Sequence, residues 1–371
     1  DVSTFDDEPD GEFVVALRDV LHGPGFCYLV GYGIEPTLEQ RVMDVSREFF
    51  AKPEADRLAI VNTNTPHFRG YTRLGMEHTN GVSDWRDQID IGPEHEPIDI
   101  GPDDPVWLRV RGPNQWPPSV PDMQPVVTSW TDQMAGLGAT ILRAIALGLG
   151  QPADYFEPTT SPNPETLVKI IRYPAQEAAH DTGQGVGLHH DSGLLSFILQ
   201  DDVGGLQVQF GDELVDATPM PGSLVMNIGE MLQIATDGYL RATKHRVASP
   251  PPGRERISIA YFFNPCMEAT FEPIPLPAEL RAAAPGGQNT RPGDLIVNVC
   301  KKKHVTNTRN AAAAEDSLRL VAIHPLTLEE CLEFIDDDEL LEITPKSLRM
   351  RKRQLNHDLR MKALRPPKQA L

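Results

Sequence analysis

Apolar positions along this chain change their spacing twice. Over residues 37–52 they recur at helical intervals, with Thr37 and Gln40 in capping-box order, so the pattern predicts an amphipathic helix. A second helix is predicted over about 125–148, where Met134, Leu137, Ile141, Ile145 and Gly148 share one face. That stripe reads as core support and carries no chemistry. From 166 to 264 the pattern becomes a series of short runs, among them LLSFIL, LQVQF, SLVMNI and ISIAYFF, divided by Gly, Pro and Asp turns. Such a series suits a mainly β fold with flanking helices, a double-stranded β-helix or jelly-roll barrel. Residues 92–125, rich in Pro and acidic groups, are too long and turn-rich for regular structure and read as a loop.

A chain of 371 residues is ample for one large core and a smaller second unit. No apolar run reaches the length of a membrane span, and no secretory leader pattern opens the sequence, so the expectation is a cytoplasmic protein with no membrane contact. Cys27, Cys266, Cys300 and Cys331 are widely spaced and contain no Cys-x-x-Cys pair, which signals neither zinc nor a disulfide framework. Charge changes the picture more. Residues 291–371 hold 15 Lys+Arg against 12 Asp+Glu, a net +3. The totals of 34 and 53 leave 19 against 41 for residues 1–290, a net −22. The overall −19 thus hides two regimes, and the acidic larger part argues mildly against polyanionic substrates.

Candidate chemistry lies within the β-like region. The segment GLHHDSGLL carries His189 and Asp191, and ATKHRV carries His245, 54 residues after the aspartate. Two imidazoles and one carboxylate are the donor set that leaves ferrous iron open on one face. Side chains two apart on a strand point the same way, which selects His189 over His190 as the ligand and leaves His190 as a pocket or neighbouring residue. Eleven residues past His245, Arg256 and Ser258 form a second pair two apart. A guanidinium takes a carboxylate through two parallel hydrogen bonds and the hydroxyl adds a third, so the pair suits the far carboxylate of a dicarboxylic acid. Arg254 and Glu255 beside it read as surface ion-pair partners.

Several long, ordered segments resemble the isopenicillin N synthase-like branch of the iron(II)- and 2-oxoglutarate-dependent oxygenases over residues 1 to about 288. They include GPGFCYLVGYGI, HFRGYTRLG, IIRYPAQ, GVGLHHDSGLLSFILQDDVGGLQVQ, PGSLVMNIGEMLQIATDGYLRATKHRV and RERISIAYFFNP. The resemblance implies Fe(II) on His189, Asp191 and His245. It also implies 2-oxoglutarate as co-substrate on Arg256 and Ser258, with a hydroxyl contact from Tyr173, although Ile171 and Arg172 stand where the family often has Asn and Tyr. The activity implied is O2-dependent hydroxylation, desaturation or cyclisation of a small molecule, with release of succinate and CO2. Isopenicillin N synthase itself turns the same Arg-x-Ser pair on its substrate's carboxylate without 2-oxoglutarate, and an ethylene-forming relative acts on 2-oxoglutarate itself; the pair alone does not separate these. In such a fold the 92–125 loop would cover the active-site mouth, making Arg69, Tyr71, Arg73, Trp85 and Arg86 substrate candidates. The family normally has a short apolar strand before the stretch matching DVSTFD, so the chain is expected to be clipped at its start.

The oxygenase pattern stops near residue 288, which divides the chain into an N-terminal region at 1–120, a catalytic core at 121–288 and a basic appendage at 289–371, expected to be α/β or partly disordered. In the appendage, Thr327 and Glu330 predict a cap for a helix ECLEFI. The stretch from NTRPGDLIVNVCKKKHVTNTRN to LTLEECLEFIDDDELLEITPKSLRMRKRQL resembles the C-terminus of the TypA/BipA translational GTPases. That resemblance implies RNA-phosphate contacts at Lys301, Lys302, Lys303 and Arg309, and an RNA- or ribosome-associated protein is the reading from another functional class. A solvated basic surface is the simpler account. No Gly-x-x-x-x-Gly-Lys-[Ser/Thr] sequence occurs, so GTP is not expected as a ligand.

Overall fold

The computed structural model describes residues 1–98, 101, 104, 106–176, 183–271, 273–286, 296–297, 339–344 and 347–352. The chain divides into two compact units, Asp1–Asp316 and Ser317–Leu371. In the first, thirteen strands matter to the site: β1 (Phe26–Leu29), β2 (Gly70–Thr72), β3 (His78–Thr79), β4 (Val82–Ser83), β5 (Asp87–Ile91), β6 (Glu165–Tyr173), β7 (Val186–His189), β8 (Leu195–Gln200), β9 (Leu206–Phe210), β10 (Glu213–Asp216), β11 (Leu224–Ile228), β12 (His245–Val247) and β13 (Arg256–Asn264). A seven-stranded sheet runs β1-β11-β8-β13-β6-β5-β2, and a four-stranded sheet runs β10-β9-β12-β7. Neighbouring strands in both are antiparallel. These are the two sheets of a jelly roll.

The pleat of the large sheet separates structure from chemistry. On β13, Ile257, Ile259, Tyr261 and Phe263 point into the main apolar core. The alternating Arg256, Ser258, Ala260, Phe262 and Asn264 line the cavity on the other face. Strand β6 repeats the division, with Val168 and Ile170 in the core and Leu167, Lys169, Ile171 and Tyr173 on the cavity side. Three helices cover the core face: α1 (Glu12–His22), α2 (Pro36–Ala51) and a long one, here called α3 (Met123–Gly148). The stripe Met134, Leu137, Ile141, Ile145 and Gly148 on α3 is buried as expected. Trp130, fully buried, meets the Tyr261 ring edge-on at a centroid distance of 5.9 Å.

The expected start of α2 is corrected. The helix begins at Pro36, whose fixed φ suits the first turn, and no side chain caps it. Gln40 does not reach back to complete a capping box with Thr37; it donates to Asp44 one turn on. In the second unit the described elements are an antiparallel hairpin of Glu339–Thr344 with Ser347–Lys352. The predicted helix ECLEFI and the basic residues Lys301, Lys302, Lys303 and Arg309 lie outside the described residues.

Candidate metal and co-substrate site

Strands β7 and β12 pair with His189 opposite His245, which brings the two imidazoles to a centroid separation of 4.4 Å. Asp191 follows just past the end of β7. Its Oδ1 lies 3.7 Å from His189 Nε2 and its Oδ2 3.7 Å from His245 Nε2. One donor atom from each of the three falls within 4.8 Å of the others, a fit to a single metal ion.

Neighbouring groups fix both the aim and the charge of these donors. His189 Nδ1 donates to the Gly187 carbonyl at 2.8 Å and His245 Nδ1 to the Thr243 carbonyl at 3.2 Å, so each Nε2 lone pair is left for a metal. Burial, reinforced by His245, pushes the His189 pKa down to about 4, so the ring is a neutral ligand at pH 7. Burial alone would raise the Asp191 carboxyl. The two histidines and hydrogen bonds from Asn227 Nδ2 (2.8 Å) and Ser196 Oγ (2.6 Å) outweigh it and hold the group below its usual range, as a carboxylate. The backbone is pinned as well, because Glu230 N donates to the Asp191 carbonyl and Gly229 N to the Leu194 carbonyl. A Cβ at Gly229 would collide with the backbone of Gly193, so this close approach requires glycine.

Arg256 and Ser258 line the same cavity, which has a volume of about 370 Å³. The Arg256 guanidinium is 1% exposed, donates to Ser258 Oγ (3.0 Å) and Gln200 Oε1 (3.3 Å), and lies 4.9 Å from the centre of the Tyr173 ring. Its Nε has no partner, and among the described residues no carboxylate pairs with it. A buried cation in that condition fits an incoming carboxylate. Arg254 and Glu255 behave differently, pairing at the surface with Asp202 and Arg172. Tyr173 is buried against Arg256 through its ring. Gln200 was missed from sequence; its signal is register, since it stands opposite Ser258 across the β8–β13 pair. His190 also borders the cavity, 3.8 Å from Glu230.

The substrate candidates divide. Arg86 lines the cavity, beside Asp84 (3.3 Å) and Glu77 (3.6 Å). The other four do not line it. Arg69 is buried against Glu165, Tyr71 donates to the buried Asp87, Arg73 pairs at the surface with Glu54, and Trp85 Nε1 donates to the Pro174 carbonyl. Their partners make them structural. Arg69→Ala would strand Glu165 as an unpaired buried acid, so a loss of roughly 3–5 kcal/mol in unfolding free energy is expected, with 2-oxoglutarate affinity of the folded protein unchanged. Denaturation with calorimetric titration checks both parts; affinity lost at intact stability would contradict the structural assignment.

The 92–125 stretch also differs from its expected place. Among its described residues none borders this cavity. Glu94 accepts from Asn114 N and Trp116 Nε1, closing the segment on itself, and Gly92 to His95 with Asn114 and Trp116 border a second cavity against α3. The element that does reach the site is the β3–β4 hairpin and its flanks, which place Glu77, Thr79 and Arg86 in the cavity wall.

Comparison with known proteins agrees with this geometry. The family "non-haem dioxygenase in morphine synthesis N-terminal" matches residues 1–119, and "2OG-Fe(II) oxygenase superfamily" matches 165–265. "TypA/BipA C-terminal domain" matches 286–357. The 2-oxoglutarate-dependent dioxygenase frbJ of Dothideomycetidae sp. is 38% identical over 281 residues, covering 74% of this chain and 76% of the relative. A homoarginine-6-hydroxylase of Oryza sativa subsp. japonica is 35% identical, covering 74% and 84%. Among solved structures, a full-length Neurospora crassa protein crystallised in complex with alpha-KG superposes with a TM-score of 0.66 at 27% identity, covering 80% of this chain and 90% of that one. No described helix is long and apolar enough to cross a membrane. With relatives of this identity and coverage, the chain belongs to the 2OG-Fe(II) oxygenase superfamily, whose members use iron(II), 2-oxoglutarate and O2.

Proposed function

We propose that His189, Asp191 and His245 hold iron(II) and that Arg256 with Ser258 receives the far carboxylate of 2-oxoglutarate. The chain then couples oxidative decarboxylation of 2-oxoglutarate to oxidation of a C–H bond in a small molecule. The observation that carries this reading is one cavity bordered both by the three-donor cluster and by a buried guanidinium with no carboxylate of its own among the described residues. The order of the residues, from His-x-Asp through His245 to Arg-x-Ser, supports placing the chain in the isopenicillin N synthase-like branch.

Iron(II) with O2 and the keto acid supplies the oxidising power when bound; the protein's work is positional. The His189 and His245 rings are locked by their Nδ1–H bonds, and Asp191 by Ser196 and Asn227. Ile171, Val186, Ile198 and Leu206 give apolar walls that exclude water from the reacting centre. Arg256 fixes one end of the co-substrate, which leaves the substrate the Lys169–Asn264 end of β6 and β13. Relatives named homoarginine-6-hydroxylases make L-homoarginine the first compound to try. Incubation with Fe(II), 2-oxoglutarate, O2 and that compound is expected to give succinate, and Arg256→Ala to abolish it. Substrate oxidation without consumption of 2-oxoglutarate would instead support the oxidase reading, in which the clamp takes a substrate carboxylate.

The family match over 286–357 favours a second, separable reading, RNA contact through Lys301, Lys302, Lys303 and Arg309. Salt-sensitive RNA binding that disappears when all four become alanine is its expected result; binding unchanged by the substitutions would contradict it.

A further inference from the structure

The hairpin beside the site is built to stay in place. Asn80 and Gly81 join β3 to β4 with φ of 50° and 80°, the left-handed pair of a two-residue hairpin turn. Asn80 Nδ2 donates to the Leu188 carbonyl (2.8 Å), and the buried Asp84 accepts from Gly187 N (3.2 Å), Gln184 Nε2 (2.9 Å) and Thr79 Oγ1 (2.8 Å). Leu188 and Gly187 belong to β7, the strand that carries His189. The hairpin therefore holds its side chains at a fixed position relative to the metal donors.

Charge accounting along the cavity then singles out one residue. Arg86 is balanced by the buried Asp84, and Lys169 pairs with the buried Asp90. The proposed iron(II) is balanced by Asp191 together with one carboxylate of 2-oxoglutarate, and the other carboxylate neutralises Arg256. Among the described ionised residues of the wall, Glu77 remains without a balancing charge of its own; its contact is the 3.6 Å approach to the already paired Arg86. Asn264, at the far end of β13, packs its buried Oδ1 against Gly193. Phe68, held at a left-handed φ of 54°, forms part of the same wall, and a bulky residue adopts that strained backbone only where its surroundings impose it. A wall that keeps one surplus carboxylate after Arg86 and Lys169 have each found an aspartate favours a positively charged ligand.

We propose that the substrate carries a cationic nitrogen group, an ammonium or guanidinium, and that Glu77 receives it. This inference rests on the oxygenase reading and specifies its substrate class. Glu77 is a specificity-determining residue presented by the β3–β4 hairpin, and it holds the cation at one end of the cavity while the carbon to be oxidised faces the metal donors.

The test is anaerobic calorimetry on the Fe(II)-loaded full chain, titrated first with 2-oxoglutarate and then with L-homoarginine or its uncharged urea isostere, L-homocitrulline. The cation should bind at least about tenfold more tightly than the isostere, as a hydrogen bond to a charged group implies. Glu77→Gln should bring the ratio close to one while leaving 2-oxoglutarate affinity unchanged, and Glu77→Asp should restore part of it. Equal affinities in the wild type, binding of neither compound after 2-oxoglutarate has bound, or a ratio unchanged in Glu77→Gln would overturn the assignment. Absence of 2-oxoglutarate binding would overturn the oxygenase reading beneath it, and the assignment with it.

Discussion

Replacing His189 by alanine should leave a folded protein that no longer retains iron(II). The ring is a third exposed toward the cavity and belongs to neither apolar core, so its loss opens little packed volume. What disappears is one of three donors, leaving His245 and Asp191 to hold a metal that needs the full set. Outer-sphere changes around metal ligands cost about 10–100-fold in affinity, and removal of a ligand should exceed that range. Circular dichroism matching the wild type, together with iron lost during anaerobic dialysis, is the expected pair of results. Tight iron binding by the variant would remove His189 from the ligand set.

Arg256→Ala should have the complementary effect, with iron retained and 2-oxoglutarate lost. Truncating one partner of a buried charge pair costs about 2–5 kcal/mol, or roughly 30-fold to several thousandfold in affinity. The free protein should tolerate the change better than its complex, because the guanidinium is buried without a described carboxylate to balance it. Linkage supplies a direct readout: 2-oxoglutarate at 100 times its Kd should stabilise the wild type by about 2.7 kcal/mol and do almost nothing for the variant at the same concentration. Arg256→Lys should not rescue, since a point charge lacks the two-pronged donor geometry. Undiminished 2-oxoglutarate affinity in Arg256→Ala would place the co-substrate elsewhere.

The placement of His189, Asp191, His245, Arg256 and Ser258 around one cavity was legible from short spacings in the chain. Arg256 and Ser258 share a face because they stand two apart on β13, where RISIAYFFN displays its own alternation of cavity-facing and core-facing side chains, whereas Asp191 lies past the end of β7 and His190 between the two donors borders the cavity as well. The long helix was legible for the equivalent reason at helical period. Substrate residues failed where the answer depended on partners distant in sequence. Arg69 and Tyr71 resemble pocket residues until Glu165 and Asp87 are seen beside them. The same holds for the 92–125 stretch, whose direction is set by Glu94 bonding Asn114 and Trp116 some twenty residues on. The β3–β4 hairpin could have been found. Asn80-Gly81 is a strong turn signal, but its two-residue strands have no hydrophobic alternation to draw attention to them. Thr37 and Gln40 show the opposite error, a motif present in sequence and unused because Pro36 starts the helix first.

One cavity should bind iron(II) and 2-oxoglutarate together. Anaerobic titration of the Fe(II)-loaded protein with 2-oxoglutarate, followed through the weak visible charge-transfer absorption of the chelate, tests it most directly. A saturable band should appear only with both components, be absent in His189→Ala, and decay with formation of succinate when O2 is admitted. Retained iron with no band at any 2-oxoglutarate concentration would contradict it.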